Sequence, residues 1–354
     1  MNSANRGERR VPTAGIIAGA DRASQDKVAF LRRPEAYGTA PETVEMIETH
    51  MSWVFLAGDL VYKLKKPVRC EFLDFSTPEA RRHDSEEEVR LNRRLAPDVY
   101  LGVVPLVITP EAALQLGGDG RPLDWLVKMR RLPRKFMLDQ AIRAGTATAS
   151  DVRRCILALA AFYRNCAPVT MDAPQYRRRF SDGVQSTRHA LEAPEYGLPP
   201  DTLRKVSSAQ LDFLEQNAPL FDRRVSEQRI VEGHGDLRPE HVCLTEPPLF
   251  IDCLEFNREW RLVDPVDELA YLALECEYAG AAFIGEAAFA AYREGTGDDP
   301  AEPLIRFYKS YRAGIRAKLS AWHLRDHPGA DDQRKWQDRA RRYLEFARRY
   351  GAGL

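Results

Sequence analysis

Two aspartates, Asp236 and Asp252, bracket the most chemically loaded stretch of the chain, VEGHGDLRPEHVCLTEPPLFIDCLE from Val231 to Glu255. Two short apolar runs, Val242–Leu244 and Leu249–Ile251, flank a Pro-Pro turn and predict a small β-hairpin. Asp236 precedes that hairpin in a loop punctuated by Gly and Pro, and Asp252 ends its second strand. Because a hairpin folds back on itself, it can bring the two acids near each other. A carboxylate acting as base beside a carboxylate that holds a metal is the equipment for phosphoryl transfer from ATP. Taken alone, either acid reads as an ordinary turn or strand-end aspartate. The rest of the chain has to supply the elements that position them.

Upstream, Glu48–Leu56 and Leu60–Val68 read as two strands joined at Ala57-Gly58-Asp59. In the second, Val61, Lys63 and Lys65 share one face and Tyr62 and Leu64 the other. A lysine on the inner face of a curled sheet can reach phosphates. The same lysines also fit an edge strand guarded against pairing. Thr77 and Pro78 are the N-cap and first residue of a helix predicted to run to about Leu95, before Pro97. Glu88 lies on its apolar side with Val89, Leu91, Asn92 and Leu95, and Glu86 and Glu87 compete with it as partners of the strand lysine. Further strands are predicted at Val103–Thr109, Ala112–Leu116 and Trp125–Met129.

From Asp139 onward the pattern is helical. Ser150 is read as the cap of a helix over Asp151–Cys166. Helices are also predicted over Tyr176–Ala190, Asp201–Asn217, Pro265–Ala279 (capped by Asp264), Pro303–Asp326 and Asp331–Tyr350. In the last, Trp336, Ala340, Tyr343 and Ala347 form a packing stripe. The domain reading is a disordered tail over residues 1–40, a β-rich lobe over 41–133 and a helical lobe over 134–354.

Composition narrows the class. The 354 residues carry 52 basic and 52 acidic side chains, so the net charge is zero and nothing points to nucleic acid or an anionic membrane. No apolar run approaches the ~20 residues of a membrane span. The six cysteines show neither C-x-x-C pairs nor zinc spacing, which reads as reduced thiols in a cytoplasmic protein. No G-x-x-x-x-G-K-[ST] stretch is present.

His234-Gly235-Asp236-Leu237-Arg238-Pro239 resembles the H-G-D-L-x-P loop of the aminoglycoside phosphotransferase family. Phe250-Ile251-Asp252 resembles its apolar-apolar-Asp metal motif, and Asp264–Ala270 its downstream helix start. Ser52–Leu56, Val61–Pro67, Phe72–Ser76 and Arg90–Pro97 resemble a bacterial branch of that family in which the domain is often fused to a P-loop kinase-like domain. The resemblance spans roughly Pro41 to Ala279.

The resemblance implies an α+β, protein-kinase-like bilobal fold, with a small antiparallel lobe carrying one helix and a larger, mainly helical lobe. It implies ATP and Mg2+ as cofactors and a hydroxyl of a small molecule as acceptor, and it suggests a separate P-loop kinase-like protein as partner. Asp236 resembles the catalytic base and Asp252 the metal ligand. Lys63 resembles the phosphate-pairing lysine and Glu88 its helix partner, with Lys65 and Glu87 as competitors. Arg238 stands where a γ-phosphate cation belongs, and Met129-Arg130-Arg131 where the adenine-facing hinge belongs.

Three departures stand out, the first being that no Gly-rich phosphate loop is found and Ala57-Gly58-Asp59 is the only candidate turn. His241 replaces the usual Asn metal ligand, which leaves weak ligation by His241, a single metal, substitution by Glu255, or a pseudokinase. Phe162-Tyr163 replaces Phe-His, with no role assigned. His234 and Asp264 read as structural, and His83, His323 and His327 as surface residues. Glu275 and Glu277 are expected to attract a cationic or polyhydroxyl acceptor. A protein kinase is a further alternative from the D-L-R-P-E string, although no A-P-E-like segment follows Asp252.

Overall fold

The computed structural model describes residues 22–38, 40–70, 73–326 and 329–354. The chain divides into two compact units. One runs to Leu132 and includes Glu255–Asn257, and the other comprises Pro133–Leu254 and Arg258–Leu354. Among the described residues no helix is long and apolar enough to cross a membrane, and no disulfide joins the cysteines.

The first unit is built on strands β1 (Val44–Glu48), β2 (Ser52–Ala57), β3 (Leu60–Lys65), β6 (Tyr100–Ile108), β7 (Leu114–Leu116) and β8 (Arg121–Arg130). They form one antiparallel sheet in the order β1-β2-β3-β8-β6-β7, and a small ribbon pairs β4 (Arg69–Cys70) with β5 (Leu73–Asp74). The run read as one strand over Glu48–Leu56 is two, because Thr49 turns the chain. The Thr49 backbone N–H donates to Ser52 O at 2.9 Å, and the Thr49 side chain accepts from Ser52 N at 3.0 Å. Gly58, with φ +61°, sits in the tight turn between β2 and β3, where only Gly bends without steric cost. Alternation along β2 and β3 buries Trp53, Phe55, Tyr62 and Leu64 against Leu106 and Leu126.

Two helices flank this sheet, not one. Helix α2 (Pro78–Asn92) begins as the sequence suggests, with Thr77 accepting from Ala80 N at 3.2 Å. Helix α1 (Arg22–Leu31) corrects the tail reading over residues 22–38, since Leu31 is fully buried with Val28 and Phe30 beside it. The expected tail over residues 1–21, along with Phe72 and His327, lies outside the described residues. Asp124 on β8 fastens both helices. It accepts two hydrogen bonds from Arg81 of α2, at 2.8 and 2.7 Å, and one from Lys27 of α1 at 2.7 Å.

The second unit contains α3 (Leu138–Ala144), α4 (Ala149–Asn165), α5 (Ala173–Leu191), α6 (Pro200–Gln216), α7 (Ala218–Ser226), α8 (Pro265–Tyr278), α9 (Phe283–Thr296), α10 (Glu302–Asp326) and α11 (Ala330–Gly351). Two short antiparallel pairs interrupt them: β9 (Val231–Glu232) with β12 (Leu262–Val263), and β10 (Val242–Cys243) with β11 (Leu249–Phe250). Helix α4 starts earlier than read, because Thr148, not Ser150, accepts from Asp151 N at 3.1 Å. Helix α8 is buried from Pro265 to Cys276. In α11, Ala340, Tyr343 and Ala347 are fully buried in a cluster with α6 and α10 residues, beside Trp336.

Asp124→Ala leaves buried Arg81 without its bidentate partner and removes the acceptor of Lys27. Stability of the first unit is expected to fall by about 3 kcal/mol, the scale for breaking a buried pair from one side. Urea denaturation monitored by tryptophan fluorescence measures it, and a loss under ~1 kcal/mol contradicts the role.

Candidate active site

The loop that carries Asp236 is held by its own backbone amides. Glu268, in the first turn of α8 and 1% exposed, accepts from His234 N at 3.1 Å, from Gly235 N, and from the Tyr163 hydroxyl at 2.7 Å. Tyr163, to which the sequence assigned no role, thus orients the carboxylate that pins the loop. Gly233 and Gly235 are glycines for steric reasons. A Cβ on Gly233 would fall 2.6 Å from a Glu268 oxygen, and one on Gly235, at φ +86°, would fall 2.9 Å from Leu254 Cβ. His234 Nε2 lies 2.8 Å from Ile251 O, and its Nδ1 accepts from Asp236 N at 3.3 Å. These bonds tie the loop to the end of the hairpin, which is the structural part expected of His234. Asp264 caps α8 by accepting from Val266 N at 2.9 Å, and it is gripped by buried Arg224 at 2.7 and 2.8 Å.

Asp236 projects from this frame. Its Oδ1 accepts from the Tyr271 hydroxyl at 3.2 Å and its Oδ2 from Arg238 Nε at 3.1 Å. Burial pushes its carboxyl pKa upward, but the fields of Arg238, His241 and Arg316 outweigh this and bring it to about 2. The group is therefore an ionised acceptor at neutral pH. His241 stands between the two acids. Its Nδ1 is 2.8 Å from Asp236 O, and its Nε2 is 3.4 Å from Asp252 Oδ2 and 3.2 Å from Arg238 Nη2. If Nδ1 donates to the carbonyl, Nε2 is left to accept from Arg238 Nη2, with Asp252 beside it. Asp252 is one of few non-glycine residues here with positive φ, at +62°. Such backbone is uncommon outside Gly, Asn and Asp and concentrates at functional sites.

In the first unit, Lys63 donates to Glu88 Oε1 at 2.9 Å and Lys65 to Glu88 Oε2 at 2.7 Å. Lys65 is 1% exposed. It also pairs with Asp84 at 2.8 Å and with Glu255. Burial lowers the Lys65 pKa, yet the surrounding carboxylates prevail and raise it, so its ammonium stays charged. Glu88 is fully buried, whereas Glu87 pairs with exposed Arg90. Glu255 sits on Lys65. Met129 lies on β8 opposite Val61 and Tyr100. Among the described residues no group of three or more His, Cys, Asp or Glu is placed to hold a metal.

The acids expected to attract a cationic acceptor are already engaged. Glu275 is 6% exposed and bonds Arg316 and Tyr343, while Glu277 bonds Arg349 and Tyr350. His323 stacks on Trp336 at 3.7 Å, and His83 is exposed. Sequence reasoning missed Tyr271, Arg316 and Glu268. Only Glu268 carried a signal, as an acid one turn past a capped helix start.

No family model matches the chain. An uncharacterised protein of Mycobacterium tuberculosis H37Rv is 33% identical over 282 residues, 78% of this chain and 54% of the relative, and one from Mycobacterium bovis matches equally. The chain thus spans about half the length of these curated relatives. A choline/ethanolamine kinase family protein from Mesorhizobium loti superposes with TM-score 0.50 at 18% identity, covering 92% of this chain and 98% of that one. An ethanolamine kinase from Plasmodium vivax gives 0.49 at 11% identity over 85% and 81%. The first likeness establishes the fold as protein-kinase-like, with an antiparallel sheet unit and a larger helical one.

Gly235→Ala forces a Cβ into Leu254 at a backbone angle that disfavours it, so a loss of about 2 kcal/mol is expected in urea denaturation. A neutral outcome contradicts the crowding at this glycine. Asp236, with its pKa lowered when folded, adds stability that is fully present above about pH 4 and disappears as pH falls through about 2. A carboxyl-carbon NMR titration should place its midpoint near 2, and Arg238→Ala should move it upward. A wild-type midpoint of 4 or higher contradicts the assignment.

Proposed function

We propose that this protein-kinase-like fold catalyses ATP- and Mg2+-dependent transfer of the γ-phosphoryl group to a hydroxyl of a small molecule. The observation that carries the reading is Asp236, an ionised carboxylate clamped between Tyr271 and Arg238, with left-handed Asp252 flanking the same imidazole.

Asp236 orients the acceptor hydroxyl and receives its proton late, as the new O–P bond forms and the bond to the leaving ADP breaks. Arg238 holds the Asp236 carboxylate and presents a guanidinium to phosphate oxygens. Lys63, braced by Glu88, pairs with phosphate oxygens, and Met129 marks the strand end at which the adenine is read. Asp252 and His241, with Oδ2 and Nε2 3.4 Å apart, would hold the cation. Mg2+ held by these two residues would supply charge neutralisation to the phosphates. A separate P-loop kinase-like protein is the proposed partner, on the resemblance to proteins in which the two are fused. The family likeness supports this reading through the fold alone.

The test is nucleotide binding and turnover of the purified protein with Mg-ATP against a panel of hydroxyl compounds. Asp236→Asn should lower kcat by about a thousandfold while AMP-PNP still binds. Asp252→Asn should instead weaken the binding of the metal-nucleotide complex. Wild-type protein that neither binds nor hydrolyses nucleotide overturns the proposal.

A further inference from the structure

Arg316 on α10 is 8% exposed, yet only one of its nitrogens is bonded: Nε donates to Glu275 Oε1 at 3.1 Å. Nη1 and Nη2 carry four further N–H donors, and no hydrogen bond from either is found among the described residues. Neither nitrogen belongs to the buried polar atoms sealed away without a partner, so each keeps some exposure. A guanidinium in this condition is uncommon, because buried polar groups are normally satisfied.

The fork is also held still. Glu275, itself buried, fixes Nε, and the Tyr343 hydroxyl holds the other Glu275 oxygen at 3.0 Å. The guanidinium lies over the Tyr343 ring at 5.3 Å. The entropy lost in ordering a long side chain has therefore been met by the fold, the condition under which a bidentate partner gains most. Glu275, which holds Arg316, lies one turn beyond Tyr271, which bonds Asp236, and Arg316 is coupled electrostatically to Asp236, Arg238, Glu240, Tyr271, Glu275 and Tyr343. Glu275 is already bonded to Arg316, and Arg238 bonds both Asp236 and, at 2.7 Å, Glu240. Among these neighbours no carboxylate oxygen reaches the Arg316 terminal nitrogens, and the charge of Arg316 bears on the Asp236 carboxylate.

We propose that Arg316 recognises the acceptor, and that the acceptor carries an anionic oxygen group, a carboxylate or a phosphate, beside the hydroxyl that is phosphorylated. The proposal rests on Asp236 being the base that orients that hydroxyl. It replaces the cationic alternative in the expectation of a cationic or polyhydroxyl acceptor drawn from Glu275 and Glu277, both of which bond protein partners.

Four probes on one skeleton test it: glucose, glucosamine, glucuronate and glucose 6-phosphate. Their affinities are measured calorimetrically with and without AMP-PNP. Glucuronate or glucose 6-phosphate should bind at least about tenfold more tightly than glucose and glucosamine, the scale of a hydrogen-bonded charge, and the stronger of the two identifies the anion. Arg316→Gln should erase the difference, and Arg316→Lys should retain part of it. Because Arg316→Gln strands Glu275, the double variant Arg316→Gln/Glu275→Gln, with its melting temperature checked, provides a neutral pair of similar volume and should behave as the single one does. Equal binding of all four probes, a preference for glucosamine, or an anion preference that survives in the double variant overturns the proposal. If AMP-PNP binds but the anion preference is absent, the acceptor class fails and the phosphotransferase reading stands. If the preference is present but AMP-PNP does not bind, the phosphotransferase reading fails and the anion site stands.

Discussion

The placement of the Asp236 loop depends on the Glu268 carboxylate and the backbone amides that donate to it. His234 N and Gly235 N would otherwise be buried donors without partners, and an ionised acceptor satisfies both more strongly than a neutral one could. The cost of burying that charge is offset by the Tyr163 hydroxyl and by its place in the first turn of α8, where the helix dipole favours an anion. The fit leaves no room for a side chain at Gly233, whose absent Cβ is the space the carboxylate occupies. With the loop fixed, the position of Asp236 follows from covalent geometry. Tyr271, one helical turn beyond Glu268, then reaches its Oδ1.

The second unit repeats the device in its interior. Arg224 bridges Asp264 and Asp298, Arg312 takes Asp267 in two hydrogen bonds, and Arg316 takes Glu275. Asp267 and Glu275 lie on α8 and Asp264 caps it, and Arg312 and Arg316 lie one turn apart on α10. Buried pairs of this kind add little net stability compared with apolar packing, but they penalise any other register of the two helices severely. Their yield is precision, which a helix carrying two parts of a site requires.

Much of this was legible from residue order. The Asp236 loop, the Asp252 strand end, the Thr77 and Asp264 caps and the apolar stripe of α11 are local signals, and each sits where its pattern implies. What escaped was decided by contacts distant in sequence. Helix α1 is a polar segment whose order comes from three apolar residues and a lysine meeting Asp124, 97 positions away from Lys27. Helix α9 is rich in small residues and shows no strong stripe. The partners of Glu268 and Arg316 lie 105 and 41 residues away from them, at Tyr163 and Glu275. The choice between Glu87 and Glu88 was a matter of one helical step, which periodicity alone resolves poorly. Lys63 and Lys65 both meet Glu88, so the pattern that left them as rivals was describing a shared acceptor.

Glu255–Asn257 belong to the sheet unit although they follow Asp252 in the chain. Glu255 joins the carboxylates around Lys65, and Phe256 packs with Val68, Leu73 and Phe75. The sheet unit is therefore discontinuous in the gene. A fragment ending at Leu132 would lack one of the anions that keep an interior ammonium tolerable, together with the ring that covers a small apolar cluster. Recombination that exchanged the N-terminal portion alone would part these residues from their complement, so the two units are constrained to be inherited, and to diverge, as one.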